Sequence, residues 1–475
     1  MLRLLLVPTL LLTSTVLTTS NVTACPADID DSQQVDVNDL LAVISSWGAC
    51  PDGTGCPADI DANGQVDVND LLTVISTWGA CPTDQIDKRV VAYYIEWGIY
   101  GRGYHPMDMP GDKITHVNYA FANIGEDGRI AIGDPYAAID RYYEGDTWDQ
   151  PYRGTYNQLN NVFKAQYPHV KTLISVGGWT WSGRFSDIAL TDASRALFAE
   201  SCVEFIRTYN FDGVDIDWEY PVCCGLAGNV YRPEDKENYT LLLAELRTQL
   251  DAAAAEDDRE YLLTIAAPAG YDKVANIEPD GIAAACDWIN VMTYDYHGSW
   301  DLSMTNHHSK LFANPNDPGD ENIATRYNGD YAINVFLDAG VPADELVMGV
   351  PFYGRAWGGV VDVNGDGGLF QPGTSVPPGT WDDWSSGDTG MNDFTQIEDL
   401  LSRGQYTRYW DDAAKVPWLY SPTEHGGHFI TYEDAESLQH KVDYVEANEL
   451  GGIMFWEITG DRNHTLMDVI RQLID

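Results

Sequence analysis

Residues 211–221 read FDGVDIDWEYP, and the interpretation of the whole chain starts from this short segment. Acidic residues alternate in it with apolar ones, Asp215, Asp217 and Glu219 with Val214, Ile216 and Trp218. Alternate residues of a β-strand face the same side, so the three carboxylates share one face and the apolar side chains share the other. The segment therefore predicts a strand with one buried apolar face and one acidic face.

Eight short apolar runs, this one included, alternate with helical patterns from Arg89 onward. The runs cover residues 89–95, 114–121, 171–176, 212–219, 261–267, 287–294, 346–352 and 451–457. Strands that alternate with helices, such as 192–210 and 233–255, indicate a parallel sheet. Eight such units predict an α/β fold, a (β/α)8 TIM barrel, and a doubly wound open sheet is the alternative. A segment rich in Gly, Trp and Asp, residues 355–431, predicts an α+β insertion into this barrel.

The acidic face of residues 213–219 would point into such a barrel, with Glu219 nearest the carboxyl-end mouth where barrel enzymes keep their active sites. Ionising all three neighbouring carboxyls would cost free energy, because burial and like charges both raise carboxyl pKa values. At least one, with Glu219 the best candidate, is expected to keep a proton and to serve as a general acid. A divalent metal site and a purely structural acidic cluster are the two other interpretations.

The composition narrows the range of partners and compartments. The 475 residues include 73 acids against 27 Lys and Arg, a formal net charge of −46 that would repel nucleic acid. Residues 1–24 combine Arg3 with an apolar run too short to span a bilayer comfortably, which predicts a signal peptide, a secreted protein and no transmembrane segment. A lipoprotein anchored through Cys25 is the alternative.

An internal repeat follows, CPADIDDSQQVDVNDLLAVISSWGAC at 25–50 and CPADIDANGQVDVNDLLTVISTWGAC at 56–81. In each copy an acidic loop precedes a short amphipathic helix. The oxygen-bearing residues of the second loop have the spacing of calcium ligands: Asp59, Asp61, Asn63, Gln65, Asp67 and Asp70. The first loop offers Asp28, Asp30, Asp36 and Asp39, but lacks the glycine that Gly64 supplies at the sharp turn of the second. We therefore expect structural calcium, bound more securely by the second loop.

Both copies begin and end in cysteine. One disulfide within each copy is the simplest pairing, although four cysteines allow three connectivities. Residues 25–82 resemble dockerin domains, small all-α pairs of calcium-loop repeats, and 83–88 read as a linker. The resemblance implies a cohesin-like or cell-surface protein as partner, but the flanking cysteines depart from the usual dockerin pattern.

The long domain, residues 89–475, resembles glycoside hydrolase family 18, the chitinase family. The motifs that carry the resemblance are DGVDIDWEYP, SVGGW (175–179), MTYDYHG (292–298), GVPFYGRAW (349–357) and GGIMFWE (451–457). It implies hydrolysis of chitin or chitooligosaccharides without a catalytic cofactor, with Glu219 as the acid and the substrate's own 2-acetamido oxygen as nucleophile. Asp217 would orient the acetamide, Asp215 would share a proton with Asp217, and Tyr294 would donate a hydrogen bond to the acetamide oxygen.

Further substrate contacts are predicted at or near the strand ends: Gly177, Gly178, Trp179, Tyr220, Met292, Asp295, Tyr353, Arg355, Trp456, Phe121 and Trp97. Two alternatives belong to other classes or substrates. One is a non-catalytic chitin-binding lectin or scaffold component, and the other is an endo-β-N-acetylglucosaminidase acting on glycans. Lectin relatives typically lose the acid, so the presence of Glu219 favours an enzyme.

Overall fold

The computed structural model describes residues 27, 29, 34–50, 56–61, 63–80 and 88–474. The chain divides into two compact units, residues 1–86 and residues 87–475. The predicted signal peptide and the alternative lipidation site at Cys25 lie outside the described residues. Within the described part of the chain, no helix is long and apolar enough to cross a membrane.

The larger unit is built on eight parallel strands that close into a barrel. They are β1 Arg89–Ile95, β2 His116–Ile124, β3 Lys171–Gly177, β4 Gly213–Asp217, β5 Leu262–Pro268, β6 Trp288–Met292, β7 Leu346–Pro351 and β8 Gly452–Trp456. Strand β1 pairs in parallel with both β8 and β2, which closes the ring. The predicted TIM-like barrel is confirmed, and the open sheet is excluded.

Helices surround the strands and cover their apolar outer faces. The longest are α1 Asp192–Tyr209, α2 Asp235–Asp257, α3 Gly329–Asp338 and α4 Ala435–Ala447. Shorter ones are Gly154–Asn157, Lys164–Gln166, Gly178–Trp181, Phe185–Ile188, Tyr271–Val274, Pro279–Ala283, Glu321–Arg326 and Met467–Ile470. A three-residue strand, Ile130–Ile132, pairs antiparallel with β2.

The outer face of β4 shows how this packing fixes the direction of the acids. Val214 and Ile216 are fully buried, and Trp218, just after the strand, is also buried. The Trp218 ring stacks on Phe185 at 5.3 Å and meets Tyr239 of α2 at 5.1 Å, measured between ring centroids. Because these apolar side chains occupy the layer between sheet and helices, the alternating acids must face the barrel interior.

The insertion between β7 and β8 forms a five-stranded antiparallel sheet with one helix. Its strands are Tyr353–Trp357, Met391–Asp393, Thr407–Asp411, Val416–Ser421 and His428–Thr431, and its helix is Phe394–Ser402. The first strand follows β7 almost directly. It therefore brings Tyr353 and Arg355 to the mouth of the barrel.

The smaller unit contains two equivalent helices, Val37–Ser45 and Val68–Ser76. The prediction of an all-α unit is incomplete, because two pairs of two-residue strands also link the repeats. They are Gln34–Val35 with Gly79–Ala80, and Gly48–Ala49 with Gln65–Val66. Both pairs join a strand of one copy to a strand of the other.

The cysteine pairing differs from the simplest expectation. Cys50 is bonded to Cys56, with the Cα atoms 5.9 Å apart, so this disulfide links the two copies and a disulfide inside each copy is wrong. The reason is the strand pairing: the Cys50 N–H donates to the carbonyl of Gly64 at 3.1 Å, which holds the end of the first copy against the second loop. Cys25 and Cys81 lie outside the described residues.

In the larger unit, one disulfide joins the adjacent residues Cys223 and Cys224. Cys202 and Cys286 are free thiols buried in the core, where burial raises the pKa of both well above the usual range.

Candidate active site

Asp215 lies inside the barrel and is fully buried. Three hydroxyl groups from other strands of the barrel donate to its carboxylate: Tyr93 at 2.7 Å, Ser175 at 2.7 Å and Thr264 at 2.6 Å. Burial raises the pKa of Asp215, while the hydroxyl donors work in the opposite direction. Asp215 is thus fixed in position by the barrel wall.

Asp217 is the next acid toward the mouth and is 2% exposed. Its Oδ1 atom has no hydrogen-bond partner within the described part of the chain. Burial, followed by the negative charges of Glu219 and Asp215, raises the pKa of Asp217 well above its usual range. This carboxyl therefore holds a proton readily and has an oxygen left over for a ligand.

Glu219 lies beyond the carboxyl end of β4, because the regular strand ends at Asp217 rather than at 219 as the sequence suggested. Burial and the nearby negative charge of Asp295 raise the pKa of Glu219 to about 8. Its backbone N–H donates to Ser182 Oγ at 2.8 Å, and Ser182 Oγ donates to the Gly178 carbonyl at 2.8 Å. Ser182 is a positioning residue that the sequence analysis missed.

Tyr294 and Asp295 follow β6 and face the same space. Asp295 forms a bidentate ion pair with Arg355, with Nε–Oδ1 and Nη2–Oδ2 distances of 2.8 and 2.7 Å, and His308 Nδ1 lies 3.6 Å from Oδ1. Burial alone would raise the pKa of Asp295, but the Arg355 charge and His308 outweigh it and hold the pKa below its usual range. Asp295 is therefore an anion that helps keep the neighbouring Glu219 protonated.

A cleft of about 1190 Å³ opens above these acids. Most of the predicted contacts line it: Trp97, Phe121, Trp179, Asp217, Glu219, Tyr220, Met292, Tyr294, Asp295, Tyr353, Arg355 and Trp456. It also includes residues that the sequence analysis did not single out, among them Arg102, Cys224, Lys273, Trp300 and Trp381. These come from loops far apart in sequence, so no local pattern pointed to them.

Aromatic rings form the floor and one side of the cleft. Phe121 and Trp456 stack with their centroids 5.6 Å apart and an interplanar angle of 19°, and Trp97 lies 6.4 Å from Trp456. Trp97 and Trp179 are 43% and 47% exposed, which leaves ring faces available. Aromatic faces of this kind suit the apolar faces of pyranose rings.

Gly177 and Gly178 do not line the cleft wall but underlie it. Both have positive φ, +106° and +71°. A Cβ at Gly177 would lie 2.5 Å from the carbonyl oxygen of Asp217, and one at Gly178 would lie 2.6 Å from the Phe121 ring. Their close contacts are thus with the protein, and sugar contacts by these two residues stay a prediction.

In the smaller unit, carboxylate oxygens of Asp59, Asp61 and Asp70 lie within 4.8 Å of one another. The Asn63 N–H donates to Asp59 Oδ1 at 3.0 Å, and the Gln65 N–H donates to Asn63 Oδ1 at 2.9 Å. In the first copy, Asp39 occupies the place of Asp70 and accepts from the Ile29 N–H at 2.7 Å.

Asp36 and Asp67 accept hydrogen bonds from Asn38 N–H at 2.6 Å and Asn69 N–H at 2.7 Å, as N-caps of the two helices. The predicted ligands Asp28 and Asp30 lie outside the described residues.

A carboxyl with a raised pKa at the mouth of a barrel, beside an aromatic cleft, suits an enzyme that breaks glycosidic bonds. The sequence profile of glycosyl hydrolases family 18 matches residues 89–461, and the chain belongs to that family. Its fold and its site are those of the glycoside hydrolase class.

Curated and solved relatives agree with this placement. The chain is 45% identical over 422 residues to Chitinase A1 of Niallia circulans, covering 81% of this chain and 58% of that protein, so it spans little more than half of that relative. The structure of Chitinase ChiA74 from Bacillus thuringiensis matches with a TM-score of 0.77 and 40% identity, covering 82% of this chain and 70% of the other. A family 18 N-acetylglucosaminidase from Paenibacillus barengoltzii matches with a TM-score of 0.66 and 35% identity, covering 81% and 99%.

Proposed function

We propose that this glycoside hydrolase is a chitinase that cleaves β-1,4 linkages between N-acetylglucosamine units with retention of configuration. The observation that carries the proposal is that the carboxyls of the cleft have different surroundings and different pKa shifts. Glu219 stands at the mouth with its pKa raised to about 8, and Asp217 lies beneath it with an unpartnered oxygen. Asp295 is engaged by Arg355 and so is not free to attack C1, and we assign the role of nucleophile to the substrate's acetamide.

The first step breaks the glycosidic bond. Protonated Glu219 gives its proton to the glycosidic oxygen as the C1–O bond cleaves. The carbonyl oxygen of the 2-acetamido group attacks C1 from the opposite face and forms a positively charged oxazolinium ring. A carboxyl pKa near 8 keeps Glu219 protonated at neutral pH, as this step requires.

Asp217 and Tyr294 hold the acetamide in place for that attack. The unpartnered Asp217 oxygen accepts the acetamide N–H and stabilises the positive charge that develops, while Asp215 shares a proton with it. Among the described residues, the Tyr294 hydroxyl has one weak partner, Met454 Sδ at 3.8 Å, so it is available to donate to the acetamide oxygen.

The second step opens the oxazolinium ring with water. Glu219, now a carboxylate, takes a proton from a water molecule that attacks C1 from the side the leaving group vacated. Two inversions at C1 give net retention, and Glu219 regains its proton for the next cycle.

The cleft favours chitin or chitooligosaccharides over a short glycan stem. Five aromatic residues line it, Trp97, Phe121, Trp179, Trp300 and Trp456, as expected for a site that binds more than one sugar unit. The alternatives are a family member that removes single N-acetylglucosamine units, an endo-β-N-acetylglucosaminidase on glycans, and a lectin or scaffold component without activity.

Digestion of the chitin hexamer, followed by mass spectrometry, tests the proposal. A chitinase releases dimers, trimers and tetramers early in the reaction. Monomer as the sole early product would support the N-acetylglucosaminidase, cleavage of glycoprotein glycans but not of the hexamer would support the glycan enzyme, and an unchanged hexamer would support the lectin.

For the rest of the chain we propose a signal peptide at 1–24, dockerin-like repeats at 25–82, a linker at 83–88 and the catalytic domain at 89–475, in a secreted protein. Calcium would be held in the second loop by Asp59, Asp61 and Asp70, whose converging oxygens support the proposal. A cohesin-like or cell-surface protein would be the partner of the repeats.

A further inference from the structure

We propose that the Cys223–Cys224 disulfide is a specificity-determining part of the cleft wall that contacts the bound sugar chain. Reduction of this disulfide by a dithiol would weaken the binding of that chain. The inference rests on the proposed chitinase function. Cys224 is exposed and lines the cleft beside Glu219 and Tyr220, and Cys223 is half-buried behind it.

The disulfide lies in a loop that folds back on the general acid. A Cβ atom at Gly225 would collide with the backbone carbonyl of Glu219, so the chain returns to direct contact with Glu219 just after the cysteines. Asn229 Nδ2 donates to the same carbonyl at 3.3 Å. The disulfide between the adjacent side chains of Cys223 and Cys224 restricts the backbone just before Gly225. It therefore limits the motion of the part of the cleft wall next to Glu219.

The disulfide also contacts the neighbouring part of the wall. Asn276 Nδ2 lies 3.4 Å from Cys223 Sγ and 3.4 Å from the carbonyl oxygen of Asp272, to which it donates. Asp272 belongs to the short helix Tyr271–Val274, which brings Lys273 to the cleft. Sulfur is a weak acceptor, so this contact adds little energy, but it places the disulfide against the loop after β5.

The chemistry of this wall fits one unit of an N-acetylated sugar chain. An exposed disulfide is polarizable and poor in hydrogen-bonding groups, so it suits the apolar face of a pyranose ring or the methyl of an N-acetyl group. The Lys273 ammonium donates to Asp272 Oδ2 at 3.0 Å and lies 3.3 Å from the Tyr327 hydroxyl, and its remaining N–H can donate to a hydroxyl or carbonyl oxygen of the sugar chain. The unit in question is one bound beside Glu219, on the side of the β4 and β5 loops.

A dithiol reductant reaches this disulfide because Cys224 is exposed. One reductant thiolate attacks Cys224 Sγ, the S–S bond breaks, and Cys223 leaves as a thiolate with the electron pair. The second reductant thiolate then attacks the reductant sulfur in the mixed disulfide, which releases Cys224 as a thiolate and closes a cyclic disulfide. Two electrons pass to the protein, and the two thiolates take up protons from water.

The test compares substrate affinity with and without dithiothreitol in the full chain. The variants are Cys223→Ser/Cys224→Ser and, as the matched control, Cys50→Ser/Cys56→Ser, which removes the Cys50–Cys56 disulfide of the other unit. The readouts are KM and kcat on chitin hexamer, and the Kd of chitin hexamer in the Glu219→Gln background.

We expect dithiothreitol to raise KM and Kd of the wild-type chain by about fivefold with kcat nearly unchanged, since binding and not chemistry is altered. The Cys223/Cys224 variant should show the raised values without reductant and no further response. The Cys50/Cys56 variant should behave as the wild type does, in both conditions.

Unchanged KM and Kd in the reduced wild-type chain and in the Cys223/Cys224 variant overturn the inference. If that variant does not fold, as judged by circular dichroism, the response of the Cys50/Cys56 variant to reductant decides alone. If the chain does not hydrolyse chitin hexamer but its Kd for the hexamer still responds to reductant, the proposed function is wrong and the inference stands. If the chain does not bind the hexamer, both are wrong.

Discussion

At the scale of single residues, the three acids of β4 and its following loop experience different surroundings. Asp215 is held by three hydroxyl donors, Asp217 is buried with one oxygen unpartnered, and Glu219 is half-buried at the mouth. These surroundings fit the roles proposed above: a fixed carboxylate at the foot of the column, a carboxyl that contacts the acetamide and an acid that protonates the glycosidic oxygen. A substitution at each position is therefore expected to have a distinct signature.

Glu219→Gln should reduce kcat on chitin tetramer by about 10³-fold while leaving chitooligosaccharide binding in place, because the amide keeps the shape but cannot give up a proton. Initial rates and binding calorimetry measure the two effects. Glu234→Gln, the same change at an exposed position, is the control. Activity of the Glu219 variant above a few per cent of the wild-type rate would show that another group is the acid.

The pH profile should report the raised pKa of Glu219. The catalytic first step needs protonated Glu219, so activity should fall as pH rises through about 8. Asp295→Asn removes a negative charge that favours the protonated form, so the pKa of Glu219 should fall and the alkaline limb should move to lower pH. A limb that stays in place or moves to higher pH would contradict the role given to Asp295.

At the scale of elements, the end of β3 and the loop after β4 are fitted closely to each other. Gly177, at the end of β3, backs onto the Asp217 carbonyl and the Phe185 ring. Ser182 then joins the short helix after β3 to the backbone of Glu219 and to that of Asp217. The position of the acid thus depends on the neighbouring strand as well as on its own.

Gly177→Ala should destabilise the larger unit by about 3 kcal/mol, since the added methyl would lie against a backbone carbonyl at positive φ. Gly101→Ala is the control, because Gly101 has open space around the Cβ position and no positive φ. Urea unfolding of both variants measures the difference. Equal stability of the two variants would mean that the close approach at Gly177 is easily relieved.

The parts that sequence predicted well are those with local patterns. The alternation of acids and apolar residues in 213–219 predicted which way the carboxylates face. The eight short apolar runs predicted the barrel. The sequence did not indicate contacts between distant residues: Ser182 with Glu219, 37 residues apart, and Arg355 with Asp295, 60 apart. Folding brings these residues together, and no periodicity within either segment records the contact.

The disulfides illustrate the same limit. Cysteine spacing left three pairings for the repeats, and the simplest was wrong because the strand pairing between copies places Cys50 beside Cys56. The adjacent Cys223 and Cys224 showed no spacing pattern of any kind.

At the scale of the whole molecule, the candidate active site and the acidic repeats belong to different compact units. In the proposed mechanism the three acids of the larger unit use protons and no metal, and the converging carboxylates of Asp59, Asp61 and Asp70 lie in the other compact unit. Residues 25–83 contain many acids and no Lys or Arg, so their mutual repulsion should favour a bound cation.

Asp59→Ala should weaken calcium binding by the full chain by about tenfold or more, because it removes a carboxylate from the converging set. Asp28→Ala in the first loop is the matched variant and should affect only a weaker binding event. Titration calorimetry separates the two, and chitin tetramer hydrolysis should survive a chelator in all three chains. Unchanged calcium affinity in both variants would reduce the loops to acidic turns, and chelator-sensitive activity would favour a metal site in the column.

The anomeric form of the first product tests the central claim most directly. Proton NMR during the first minutes of chitin hexamer hydrolysis, before mutarotation, distinguishes the two anomers of the new reducing end. Attack by the substrate's acetamide followed by water predicts the β-anomer, the configuration of the bond that was cleaved. The α-anomer as the first product would contradict the account, because it would require direct attack by water at C1 with a second carboxylate as base.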